Sequence, residues 1–551
     1  CRIIPCEKRK LYYTLDFDVY ILDTKNNYKY TEENEVTKKH KFFIEIIILL
    51  FCLAAGGFFY YKISAPPGEE WLSYHNEELL SNIDRQLSGL DIENIVEDKE
   101  KYVIEKEITD IQNAIKDGNL TYEELTAICL YRIKTLDQRK HGLNSVLTIN
   151  SNAMEEARQK DKERKIRTEG TSEIFGIPVL LKDNINTAGI PTSAGAVALA
   201  DFIPVMDADI VTNLKKRGAV ILGKNNLSEF AGYMSSIAPA GYSNAKGQTI
   251  NPFKPLKISA SGSSSGSAVS VTANLSPVSI GTETDGSIVA PASACSVVGF
   301  KPTRSTVSST GILPLIREID TPGPMAKSVQ DVAVVYNAMS GSALNLEWDK
   351  DYLNGKTIGL ASYEYNDKSQ VSILKQALQK AGAKVIEITL SQDGVIIFGN
   401  IHLTLNKDYK DFASTYGLPF KTLDDLVAFN NKEKDTNAKY GQDYLEEAAK
   451  TENTDSDEIN KSIEKATAVL NAAFAENNLD GIAFLNSTAS TLPAAAGFPE
   501  LTIPLGQDKN GVPQGATFTI PAGEDEILLK MGYSLQEYTN GRKNPLVTNK
   551  S

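Results

Sequence analysis

Three short runs hold residue types that together can break an acyl bond. Val179-Leu180-Leu181-Lys182-Asp183, Ser261-Gly262-Ser263-Ser264-Ser265-Gly266-Ser267 and Gly281-Thr282-Glu283-Thr284-Asp285-Gly286-Ser287-Ile288 supply a lysine and serines from separate segments. A serine hydroxyl is a weak nucleophile until a neighbouring base takes its proton. The chain has four histidines, His40, His75, His141 and His402. His40 borders an apolar run, His75 lies in an acidic stretch and no motif surrounds the other two, which disfavours a Ser-His-Asp arrangement. Lysine serves as a base only when neutral, and moving its pKa from about 10.4 to about 7 takes roughly 4–5 kcal/mol of desolvation or neighbouring charge. Lys182 closes the apolar run Ile177 to Leu181, a strand end suited to burial.

The flanks say how these residues are held. A Ser/Gly-rich stretch alone reads as a flexible spacer. Here Ala268-Val269-Ser270-Val271-Thr272-Ala273 continues it as a small-residue apolar segment, so the run is expected to be a tight loop feeding a buried helix. Leu275 to Ile280 reads as a short buried strand running into Gly281. A strand ending in a Gly-containing turn lets backbone N–H groups converge, and Thr284, Asp285, Gly286 and Ser287 are expected to form an oxyanion hole. One such donor is worth about 10²–10³ in rate.

On these motifs the chain resembles the amidase signature family, serine hydrolases with a Ser–cis-Ser–Lys triad, over roughly Glu105 to Tyr538. The resemblance implies Ser287 as nucleophile, Ser263 as the bridging serine after a cis peptide bond, and Lys182 as base. Ser264 and Asp285 are expected to touch the substrate. Further matches are Asp209 to Leu214, Gly218 to Glu229 and Ala496 to Gly506. Asp285-Gly286-Ser287-Ile288-Val289 stands where many members have Gly-Gly-Ser-Ile-Arg. That variant resembles the branch containing bacterial peptide amidases and speaks against close kinship with the A-type component of glutamyl-tRNA amidotransferase. Asp285 reads equally as a specificity element or as a turn carboxylate bonded to nearby N–H groups. The implied activity is hydrolysis of a linear amide, small or peptide-like, through an acyl-enzyme. The alternatives are an inactive membrane-anchored binding scaffold and a glutamine amidotransferase component of the A type.

Composition fits an enzyme. The chain has 551 residues, 42% hydrophobic and 23% charged, which describes a globular protein with a large core. A net charge of −13 argues against nucleic acid as partner. No Cys, His and carboxylate grouping has metal-ligand spacing, so neither metal nor cofactor is expected. No obligate protein partner is expected either. Five cysteines, Cys1, Cys6, Cys52, Cys129 and Cys295, have no paired spacing, and a disulfide framework is not expected.

Five regions are expected. Residues 1–41 form an N-terminal tail; the chain opens with Cys1, and translation is expected to start near Val36. Residues 42–61 are apolar except for Glu45 and follow Lys38, Lys39 and Lys41. That order predicts an uncleaved single-pass anchor in the cell membrane with an external catalytic domain, secretion being the alternative. Residues 62–105 read as an acidic linker, 106–540 as the catalytic domain and 541–551 as a C-terminal tail. Helices are expected at Thr109 to Lys116, at Thr121 to Leu136 behind a Thr121/Glu124 capping box, and at Lys421 to Asn430. Residues 176–341 alternate short apolar strands with helical stretches, predicting an open α/β sheet. The resemblance refines this to one large mixed, twisted sheet sandwiched by helices, with 349–480 bordering the substrate channel.

Overall fold

The apolar runs around the candidate residues form the interior of one sheet. The computed structural model describes residues 67–166, 172–341, 344, 346–451 and 456–545. Its strands are β1 (Val146–Ile149), β2 (Pro178–Lys182), β3 (Val220–Asn225), β4 (Tyr242–Ser243), β5 (Gly247–Gln248), β6 (Val278–Glu283) and β7 (Val298–Lys301). They continue as β8 (Thr321–Ala326), β9 (Thr357–Ala361), β10 (Lys384–Ile388), β11 (Gly481–Leu485), β12 (Glu500–Gln507) and β13 (Pro513–Thr519). Eleven form a single sheet in the order β1-β3-β2-β6-β8-β7-β12-β13-β11-β9-β10, and β4 pairs with β5 separately. The sheet is mixed: β2 runs parallel to β3 and β6, and β9 parallel to β10 and β11, while the other neighbours are antiparallel. Every residue of β2, β3 and β6 is buried, as expected of strands covered by helices on both faces. This is the expected α/β architecture.

The serine run enters the helix Ser265–Thr272, all of whose residues are buried. Small side chains let it press against β2, β3 and β6. At Gly266 an added Cβ would lie 2.3 Å from the Asn226 carbonyl oxygen and 2.4 Å from that of Ser145, so only glycine fits. The expected strand 275–280 forms three residues later, at Val278–Glu283. Pro277 has no N–H to give a ladder, and pairing starts after it. The Thr121/Glu124 capping box is present, with Glu124 N donating to Thr121 Oγ1 at 3.0 Å and Thr121 N to Glu124 Oε2 at 2.9 Å. The expected helix 109–116 is Ile108–Lys116, and 421–430 is Leu423–Asn430 behind its Thr422 cap.

Part of the stretch read as a linker is built into the domain. Helices Asn76–Leu87 and Ile92–Lys99 precede Ile108–Lys116, and Leu79, Ile83 and Leu87 of the first are buried in the main core. Lys246 Nζ donates to Asn76 Oδ1 at 2.6 Å, and Ser73 bridges Gly247 beside β5. Ile83 is fully buried, so Ile83→Ala should lower the free energy of unfolding by about 2–5 kcal/mol. Urea denaturation checks this, and an unchanged midpoint would mean that the segment is not docked.

A second core gathers Leu405, Tyr409, Leu426, Leu445 and Leu470 from four helices, His402–Tyr416, Leu423–Asn430, Asp443–Lys450 and Asp457–Asn477, with Ile401 just before the first. It includes Phe230, Tyr233, Met234 and Leu315, which bring it against the candidate site. The apolar run 42–61 and the tail before it lie outside the described residues. Among the described residues no helix is long and apolar enough to cross a membrane.

Candidate active site

Lys182 is the last residue of β2 and is fully buried. Its Nζ lies 2.7 Å from Ser263 Oγ, 2.9 Å from Thr282 Oγ1 and 3.1 Å from the Thr282 carbonyl oxygen. Burial pulls the amine down to about 7, against the opposing charges of Asp320 and Glu283. Near neutral pH it therefore exists in both forms, and the neutral amine has a lone pair to offer the Ser263 hydroxyl.

Ser263 follows a cis peptide bond from Gly262. Its carbonyl oxygen accepts from Ser228 N at 3.1 Å, and Ser264 N donates to the Ser287 carbonyl oxygen at 3.2 Å. The loops carrying the two serines are thus tied by backbone. Ser264, expected against the substrate, is fully buried with its hydroxyl donating to the Thr282 carbonyl at 3.1 Å. It holds β6 and does not line the cavity described below. Its neighbours in a serine-rich run gave no local signal of which hydroxyl faces inward.

Ser287 sits on the turn between β6 and the helix Val289–Ala294. Gly286 takes φ of 76°, where a side chain is disfavoured. The N–H groups of Asp285, Gly286 and Ser287 donate to no acceptor among the described residues. They are free to receive an oxyanion. Thr284 is anchored by its hydroxyl to Asp320 Oδ1 at 2.5 Å, and Asp285 Oδ1 accepts from Thr491 Oγ1 at 2.9 Å. Burial raises the Asp320 carboxyl to about 7 and that of Asp285 to about 6.

Two supports of this turn escaped sequence reasoning. Glu283 Oε2 accepts from Ile288 N at 2.6 Å and Val289 N at 3.0 Å, clamping the residues that follow the nucleophile candidate. Glu500 stands beside it with one oxygen bonded by Ser490 at 2.7 Å, and burial followed by the Glu283 charge raises its pKa. Lys301 Nζ lies 3.9 Å from Glu500 Oε2. On the other side of Lys182, Asp183 accepts from Ser193 N at 2.9 Å and faces Lys224 Nζ at 3.7 Å, all buried. Adjacency to Lys182 was the only sequence signal for Asp183, and Glu283 had only its place in the motif.

Ser263, Ser287, Thr284 and Asp285 open onto one cavity of about 300 Å³. Its wall also carries Glu229, Met234, Tyr242 and Leu315, and Phe398 and Tyr440 come from the region expected to border the channel. Lys182 reaches this space through Ser263. The structure thus brings the three triad candidates and the turn expected to form the oxyanion hole to one place.

Known proteins share the arrangement of the chain. Residues 124–529 match the Amidase family model. A crystal structure of an amidase family protein from Bacillus anthracis superposes with a TM-score of 0.83 at 40% identity, covering 87% of this chain and 100% of that one. Native peptide amidase from Stenotrophomonas maltophilia gives 0.75 at 34% identity, covering 81% and 99%. A probable amidase of Arabidopsis thaliana is 33% identical over 80% of this chain and 91% of its own. The A-type component of glutamyl-tRNA(Gln) amidotransferase from Deinococcus radiodurans is 28% identical over 77% and 96%. The matched span contains the strand that ends in Lys182 and both serine loops, and with a fold shared over most of each chain it follows that this protein belongs to the amidase family.

Proposed function

We propose that the chain hydrolyses a carboxamide through an acyl-enzyme on Ser287, with Ser263 as proton carrier and neutral Lys182 as base. The observation that carries this is the 2.7 Å contact between buried Lys182 Nζ and Ser263 Oγ, on a serine that shares its cavity with Ser287. Lys182 takes the Ser263 proton while Ser263 takes that of Ser287, whose oxygen attacks the carbonyl carbon. The oxyanion is received by the free N–H groups of the turn. The proton then returns through Ser263 to the leaving nitrogen, and ammonia or an amine departs. Water repeats the sequence on the ester and regenerates Ser287. Peptide-like amides are the favoured substrates, supported by the likeness to peptide amidase.

The amidotransferase alternative has less support. Val289 follows Ile288 where an arginine is usual, and among the described residues no basic side chain lines the cavity to hold the α-carboxylate of glutamine.

Acid quenching during turnover of a panel of peptide, aliphatic and aryl amides, followed by mass spectrometry, tests the reading. The acyl mass is expected on the peptide containing Ser287. Acylation of another residue, or none with turnover in progress, would sink it.

A further inference from the structure

Glu229 is a buried carboxyl at the cavity wall with no partner charge. It is 4% exposed, and both its hydrogen bonds, from Asn244 N at 2.7 Å and Asn244 Nδ2 at 2.6 Å, go to Oε2. Oε1 accepts none among the described residues. Burial raises this carboxyl to about 8, with only the Asn244 bonds opposing and no cation contributing. Asp285 adds a second carboxyl to the lining, while no lysine, arginine or histidine lines it among the described residues. The exposed Lys439 lies over the ring of Tyr440, 5.4 Å from its centre, and is not part of the wall.

The backbone beyond Glu229 is held unusually. Phe230 and Ala231 both take left-handed conformations, at φ of 48° and 51°. Consecutive non-glycine residues there are strained and persist only where their surroundings fix them. Phe230 N donates to the Ala194 carbonyl at 3.0 Å, and its ring is buried against Tyr409. Glu229 and Ala231, on either side of Phe230, both line the cavity. A buried carboxyl with no partner charge holds its proton rather than ionise, and a guest ammonium is what would draw it into the ionised form.

We infer that Glu229 receives a cationic nitrogen of the substrate, so that the cavity selects amides carrying a protonated amine over neutral ones and disfavours those carrying a carboxylate. This rests on the cavity being the amide site proposed above. The carboxyl oxygen Oε1 accepts from the ammonium, and Asp285, nearer the scissile bond, repels an anionic substituent.

Primary amides of matched shape test it: ω-amino amides with three to six carbons between amine and carbonyl, their methyl-ended isosteres, and the corresponding ω-carboxylates. Calorimetric titration into the full-chain Ser287→Ala variant reads binding without turnover. At the best length the ammonium form should bind about tenfold or more tightly than the methyl form, as a charge-assisted hydrogen bond provides, and the carboxylate most weakly. Glu229→Gln, which keeps an oxygen for Asn244, should bring the ammonium-to-methyl ratio towards one. A ratio near one in the Ser287→Ala protein, a ratio unaffected by Glu229→Gln, preferred carboxylates, or no binding of any amide would each overturn the inference. Failure of the acyl-enzyme reading is seen separately, as hydrolysis that survives Ser287→Ala.

Discussion

Replacing Lys182 with alanine should lower kcat/KM for amide hydrolysis by about 10⁴-fold or more, since in the proposed mechanism it removes the base on which both serine hydroxyls depend. Steady-state ammonia release reads the effect, with circular dichroism confirming the fold. The more discriminating result lies in the pH profile. The base must be neutral, and the Lys182 pKa is held near 7 by burial. Activity should therefore rise as pH increases through about 7 and level off above it. Asp320, its own carboxyl raised to about 7, opposes that depression only where it is ionised, so Asp320→Asn, which removes the charge, should move the upper part of the rising limb to lower pH. A wild-type profile that stays flat through about pH 7 would show that Lys182 does not set it. Lys182→Arg should not restore activity, because guanidinium stays charged across the range.

Ser287→Ala should be the deepest loss, about 10⁶-fold in kcat, the scale on which acyl transfer depends on its nucleophile. Ser263→Ala should fall by a similar order if the proton passes through it, and the Lys182→Ala/Ser263→Ala pair should be little worse than either alone. Such non-additivity is the signature of groups acting as one unit. Multiplying losses would mean that Ser263 and Lys182 act separately. Turnover that survives Ser287→Ala would leave the chain an enzyme by another route, and a folded wild type without turnover on any amide would favour the binding scaffold.

The family was legible because its motifs stand in order along the chain, and the roles of Lys182, Ser263 and Ser287 were read from that resemblance, with a lysine closing an apolar strand and serines in two tight loops consistent with it. Local pattern also carried the capping box at Thr121 and the buried helix after the serine run. What it could not carry was long-range pairing. Glu283 reads as a polar residue before a turn, and its neighbour Glu500 is far along the chain on β12. Ser264 and Ser263 are adjacent and alike in sequence, yet one faces β6 and the other the cavity. The acidity of residues 62–105 suggested a spacer, although Leu79, Ile83 and Leu87 recur at helical spacing and mark the buried face found in the fold.

The burial of Lys182 has a practical side. Activated esters and aldehydes attack amines they can reach, and this amine is enclosed by β2, the Ser263 loop and Thr282, with no exposed surface of its own. Lys224, Lys246 and Lys301 are similarly enclosed. Coupling the protein to a solid support through its lysines will therefore spare Lys182, which needs no substrate in place to protect it.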